Sequence, residues 1–185
     1  MIIKTREELR KLREEYAASL AGEKKKILIC AGTGCISSGS LVIYDELKKI
    51  MEARGLKVEV ELAEEPHDDS VGLKKSGCHG FCEMGPLVRI EPQGWLYVKV
   101  KPADCEEIVE KTIIGGEHIE RLAYAKHGEV FKKQEEIPFY KKQTRHVLEH
   151  CGHIDATSIK EYLGIGGYRA SRRRCSTWTA KRSCR

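Results

Sequence analysis

The chain has 185 residues, with 33 Lys and Arg against 28 Asp and Glu, enough to bury one core and carry a small appendage. No apolar run approaches a membrane span, and the opening Met-Ile-Ile-Lys-Thr-Arg-Glu-Glu lacks the apolar block of a secretory signal. These features lead to the expectation of a cytoplasmic protein with no direct membrane insertion, in which clustered thiols bind metal rather than pair as disulfides. The net charge of +5 does not point to nucleic acid: residues 171–185 hold six basic residues and no acid, so residues 1–170 sum to −1.

In chain order, Thr5-Arg6-Glu7-Glu8 is a capping box, and Leu9, Leu12, Tyr16 and Leu20 follow at helical spacing, so a helix is predicted over 6–20. Lys26 to Cys30 reads as a short buried strand. A second helix starts at Ser38 or Ser40, carries Val42, Ile43, Leu47, Ile50 and Met51 as its apolar face, and stops at Gly55. Lys57 to Leu62 alternates as a half-buried strand, and Val71 to Ser76 is a short strand in which Lys74 and Lys75 form a solvated face. Leu87 to Ile90 and Trp95 to Val100 flank Glu91-Pro92-Gln93-Gly94, a hairpin signal, with Pro86 setting the start of the first arm. Asp104 caps a last helix bearing Ile108, Val109, Ile113 and Ile114, ended by Gly115-Gly116.

The pattern is α/β, a mixed sheet flanked by helices and compatible with a thioredoxin-like fold. Beyond residue 116 the chain is polar and irregular, with one capped helix from Asp155 to Leu163, and is too short for a core of its own. The expected organisation is an N-terminal helix over 1–22, a thioredoxin-like domain over 23–115, a linker and the incomplete start of a further unit over 116–170, and a basic tail over 171–185.

Four cysteines carry the chemistry. Cys30-x4-Cys35 and Cys78-x3-Cys82 each lie in a glycine-rich turn after a strand. Small residues between thiolates let the backbone curl around a bulky group with N–H groups facing the sulfurs. An iron–sulfur cluster and structural zinc are the candidates. Zinc knuckles are compact local folds, whereas these two loops belong to one larger α/β core, which favours iron–sulfur. No Cys-x2-Cys pair is present for thiol–disulfide exchange. Cys105, at a helix start without a base, reads as packing, and so does Cys151 in His150-Cys151-Gly152-His153. His79, inside the second loop, is expected to shape the surroundings of the centre rather than to ligate it.

The two spacings resemble the thioredoxin-like 2Fe–2S ferredoxin pattern of the 24 kDa subunit of respiratory NADH dehydrogenase. Gly77-Cys78-His79-Gly80-Phe81-Cys82-Glu83-Met84-Gly85-Pro86-Leu87-Val88 is similar, more specifically, to the N-terminal domain of the flavin-carrying, NADH-binding subunit of soluble NAD(P)-linked iron hydrogenases and related formate dehydrogenases, itself related to the 51 kDa-type subunit of NADH dehydrogenase. Ile137-Pro138-Phe139-Tyr140, Cys151-Gly152-His153-Ile154-Asp155, Tyr162-Leu163 and Gly166-Gly167-Tyr168 resemble the opening of that family's flavin domain. The resemblance implies that Cys30, Cys35, Cys78 and Cys82 hold one 2Fe–2S cluster, that the chain relays single electrons without a catalytic acid, base or nucleophile, and that its partners are other iron–sulfur and flavin subunits. The family's FMN, NAD and 4Fe–4S sites belong to a complete subunit. Neither their Gly-rich loop nor their Cys-x2-Cys-x2-Cys run occurs in this sequence. A one-nucleotide change of frame can convert a permissible coding sequence for residues 171–184 into a helical continuation, so the tail is expected to be a frameshift product of a truncated gene. A zinc-stabilised interaction domain without a redox role is the alternative.

Overall fold

The capping box forms as expected. In the computed structural model, which describes residues 3, 5–62 and 70–169, Glu8 N donates to Thr5 Oγ1 at 3.1 Å and Thr5 N to Glu8 Oε2 at 3.2 Å, starting α1 (Arg6–Gly22). Strand β1 (Lys26–Cys30) follows, then a single helical turn α2 (Thr33–Ser37), then α3 (Ser40–Ala53). Gly55, at φ 72°, stops α3 as read from the sequence. Ile43, Leu47 and Met51 are buried, but Val42 is 52% exposed and Tyr44 takes the core position.

Strand β2 (Lys57–Glu59) is shorter than expected, because its ladder ends at Glu59↔Gly72 and, among the described residues, no strand pairs beyond it. Strands β3 (Ser70–Ser76), β4 (Val88–Glu91) and β5 (Trp95–Tyr97) complete a five-stranded mixed sheet of order β2-β3-β1-β4-β5. β1 and β2 run parallel to β3, and β4 runs antiparallel to both β1 and β5. The peptide bonds preceding Pro86 and Pro92 are cis.

Helix α4 (Cys105–Glu107) continues in a π register over Ile108–Ile114. Asp104 does not cap it; its carboxylate accepts from Lys101 N at 2.8 Å in the preceding turn. Ile108, Val109 and Ile113 join Ile27, Ile29, Leu47, Met51, Leu73 and Val88 in the main core. Ile114, expected there too, is 55% exposed, since the wider π turn rotates the helix face.

Alternation along β3 sends Val71 and Leu73 into that core and Lys74 to the opposite side of the sheet. Lys74 is fully buried, correcting the expected solvated face. Its ammonium lies between two carboxylates, Glu23 after α1 and Glu161 of α6 (Ile159–Gly164), the latter at 2.6 Å. Lys75, half-buried, places its Nζ 4.5 Å from the Tyr44 ring centroid. The cover comes from a segment some 85 residues downstream, which local patterning cannot register.

Residues 116–169 pack on the rest of the molecule. The chain bridges back to β5 through Tyr97↔Ala123 and Trp95↔Lys133, on either side of the hairpin β6 (Tyr124–Lys126) and β7 (Glu129–Phe131). A turn over Gln134–Glu136 leads into α5 (Pro138–Lys141), which buries Ile137 and Tyr140. Helix α6 starts three residues later than expected: Ser158 caps it by accepting from Glu161 N at 3.2 Å, while Asp155 accepts from Thr157 N in a turn of its own. The final basic stretch, including the frameshift reading, lies outside the described residues. Among the described residues no helix is long and apolar enough to cross a membrane.

Candidate metal centre

Parallel pairing brings the two cysteine loops together. β1 and β3 run in the same direction with Cys30 opposite Ser76, so the loops that leave them emerge side by side at one edge of the sheet. Ala31 N donates to Ser76 O at 3.0 Å and Cys30 N to Leu87 O at 3.0 Å, which fixes the loop bases. In the first loop Cys35 sits on the short α2 turn, where Ile36 N donates to Gly32 O at 3.0 Å. In the second, Gly80 at φ 80° reverses the chain, and its N–H donates to Cys78 Sγ at 3.3 Å. The Cys78 and Cys82 sulfurs are 4.0 Å apart.

Cys30 and Cys35 are buried, whereas Cys78 and Cys82 are exposed. The Cys35 thiol lowers the Cys30 pKa to about 6, with further help from backbone N–H groups of His79 and Gly32 and against the effect of burial. Cys35 shifts upward in turn, since it keeps the proton it shares with Cys30. Burial also raises Cys78.

Glycines fit closely where the loops cross, most tightly at Gly85. A Cβ on Gly32 would lie 3.0 Å from Cys78 Cβ and 3.1 Å from its sulfur, one on Gly34 would lie 3.2 Å from Cys82 Cβ, and one on Gly85 would lie 2.8 Å from Cys35 Sγ. Four thiols in two pairs, an N–H aimed at a sulfur and a glycine cradle fit a binuclear thiolate-bound cluster. Among the described residues no three His, Cys, Asp or Glu side chains converge as one metal ion would require.

His79 is buried, and its ring is held at both nitrogens. Gln134 Oε1 accepts from Arg89 Nη1 at 3.0 Å, so Nδ1 of His79, 3.2 Å from the same oxygen, is the donor. Nε2 then accepts from the Ser76 hydroxyl at 2.8 Å. Burial lowers the His79 pKa to about 4, and the ring is neutral. The ring supports the second loop, and both nitrogens are engaged. Cys105 lies fully within the main core, and burial pushes its thiol up to about 12. Cys151 is half-buried beside Gly77.

Sequence reasoning missed the downstream cover. Phe81 stacks on Phe139 with ring centroids 4.7 Å apart and meets Tyr140 edge-on at 5.7 Å. The Arg145 guanidinium donates to the His79 carbonyl, and Gly152 lies against the His79 ring. Ile137 and Tyr140 share a buried cluster with Cys30, Cys35 and Phe81. The apolar spacing of Ile137, Phe139 and Tyr140 was the one local sign of this role.

A family model described as thioredoxin-like [2Fe-2S] ferredoxin matches residues 15–113. A 2Fe–2S ferredoxin of Clostridium pasteurianum is 34% identical over 88 residues, 48% of this chain and 76% of the relative. One of Aquifex aeolicus is 51% identical over 54 residues, 29% of this chain, so that the match spans about half, 49%, of that relative. Among solved structures, the wild-type thioredoxin-like [2Fe-2S] ferredoxin from Aquifex aeolicus aligns over 56% of this chain and 99% of its own, at 29% identity and a TM-score of 0.44. An NAD+-reducing [NiFe]-hydrogenase chain aligns over 69% of this chain and 23% of its own, at 14% identity and a TM-score of 0.43.

Proposed function

Since this chain belongs to the thioredoxin-like [2Fe-2S] ferredoxin family, an electron-transfer family whose cofactor is a 2Fe–2S cluster, we propose that Cys30, Cys35, Cys78 and Cys82 are the four ligands of its cluster. The observation that carries this assignment is the meeting of both cysteine pairs at one sheet edge, with Gly32 and Gly34 packed tightly on Cys78 and Cys82 and Gly85 too close to the Cys35 sulfur to carry a side chain. When bound, the cluster supplies one-electron transfer.

The protein's part is positional. Cys30 and Cys35 anchor the buried side, the His79–Gln134–Arg89 network stiffens the second loop, and Gly80 N–H favours the thiolate of Cys78. Exposure of Cys78 and Cys82 leaves one side of the centre open to a redox partner, while Phe81, Phe139 and Tyr140 keep water from the other.

We further propose that this module serves an NADH-oxidising complex of the hydrogenase, formate dehydrogenase or NADH dehydrogenase type, passing electrons between a flavin subunit and other iron–sulfur subunits. The support is the resemblance of residues 137–168 to the opening of such a flavin domain. In that reading residues 23–115 are the ferredoxin domain and 116–170 the start of the next.

Anaerobic reconstitution is the test of the ligand set. The wild type should carry iron and sulfide in equal amounts, one cluster per chain, with an EPR signal on reduction. Each Cys→Ser change at the four positions should abolish or markedly alter the visible absorption. A colourless, zinc-containing protein would support the zinc alternative and overturn the assignment. For the complex, co-purification of the native assembly should recover a flavin-containing, NADH-oxidising partner, and a lone chain with no such partner would refute it.

A further inference from the structure

We propose that Tyr140 is a hydrogen-bond donor to the sulfurs of the cluster on its Cys30 side, and that this bond raises the reduction potential. The inference rests on the four-cysteine ligand set and adds to it a residue from outside the region that the ferredoxin family model matches.

Tyr140 is placed by its neighbours. Pro138 opens α5 directly after the fully buried Ile137, and the short helix turns the Tyr140 side chain into the cluster of buried residues that contains Cys30, Cys35 and Phe81. Its ring is clamped edge-on by Phe81 and Phe139, with centroids at 5.7 and 5.2 Å, and the Arg145 guanidinium lies over its face at 5.1 Å. The side chain is only 8% exposed, yet its hydroxyl makes no hydrogen bond among the described residues.

A buried hydroxyl left without a partner is destabilising, so a native one has a use for its proton. Arg145, the charged group beside it, has only donors to offer and can satisfy the oxygen but never the O–H. Cys30 and Cys35, which share its buried cluster, offer sulfurs that can accept. A phenol keeps its proton at neutral pH and so has it to donate. A hydrogen bond to a cluster sulfur stabilises the more negative, reduced state and raises the potential.

Tyr140→Phe removes one oxygen and leaves the ring stack intact. Wild type and variant are reconstituted anaerobically, cluster content is measured, midpoint potentials are titrated, and Fe–S stretching frequencies are recorded by resonance Raman in H2O and D2O. The expected result is full cluster content with a more negative potential and a smaller solvent-isotope shift in the variant. Equal potentials and equal isotope shifts in two loaded proteins overturn the role of Tyr140 and leave the ligand set standing. If the variant does not assemble, wild-type frequencies that do not move in D2O overturn it instead. A wild type that assembles no cluster sinks the ligand set together with the inference.

Discussion

At Gly85 a hydrogen atom stands where any other residue would place a carbon 2.8 Å from the Cys35 sulfur and 3.2 Å from the Cys82 carbonyl oxygen. Gly85→Ala must therefore push the two cysteine loops apart. Disturbing the close surroundings of metal ligands typically costs 10–100-fold in affinity, so iron should be lost to a chelator about 10–100-fold faster than from the wild type. Gly77→Ala is the contrast: its Cβ would meet Cys151 Sγ at an ordinary 3.4 Å, and its iron should be retained as in the wild type. Equal loss from both variants would mean that the cradle is not what holds the loops. The cysteines were legible in the sequence because spacing and glycine content are local properties. Gly85 lies against Cys35 across 50 residues, and Tyr140 shares a buried cluster with Cys30 across 110; neither leaves a trace in a local pattern.

Among the elements, α1, β3 and α6 meet at one buried cation. Lys74 lies between Glu23 and Glu161; Glu23 is also paired with Lys26 at 3.4 Å, and Glu161 accepts from Asp155 N at 2.9 Å. Lys74→Met would leave the buried Glu161 carboxylate without a cation beside Glu23, at a cost of about 3–5 kcal/mol, to be read as a fall in the urea midpoint. Adding Glu161→Gln removes one stranded charge and should restore part of the loss; a double variant no better than the single would show that the ion pair is not the cause. Here patterning failed for a physical reason: a lysine in an alternating strand reads as solvent-facing unless an oppositely charged helix covers it. The π register of α4 was hidden for a related reason, since the apolar positions of Ile108, Val109, Ile113 and Ile114 fit an ordinary helix equally well. The cap of α1, the stop of α3 at Gly55 and the hairpin turn at Gly94 were legible because their chemistry lies within four residues.

For the molecule as a whole, acid should be destabilising above the range where carboxylates titrate. His118 lies edge-on to Trp95 at 5.1 Å, both of its ring nitrogens are buried without a hydrogen bond among the described residues, and burial lowers its pKa. The unfolded chain binds that proton more readily, near pH 6.5, so the stability His118 contributes is complete above that pH and is lost as pH falls through the lower, folded value. His153 is lowered by burial as well and adds in the same direction. Urea unfolding of the metal-free protein between pH 5 and 8 should show stability rising with pH, with a shallower slope in His118→Phe. An unchanged slope would exclude His118 as a source.

The cover over the cysteines also orders events in time. Cys82 leaves the ribosome 55 residues before Ile137, and at about 5–20 residues per second the loops stand bare for roughly 3–11 seconds before α5 can close over them. The nascent chain thus has an interval for loading before the side of Cys30 and Cys35 is covered. Cluster uptake should be faster on ribosome-bound chains stalled with residue 116 just emerged than on finished apoprotein, and equal rates would show that the cover is no barrier.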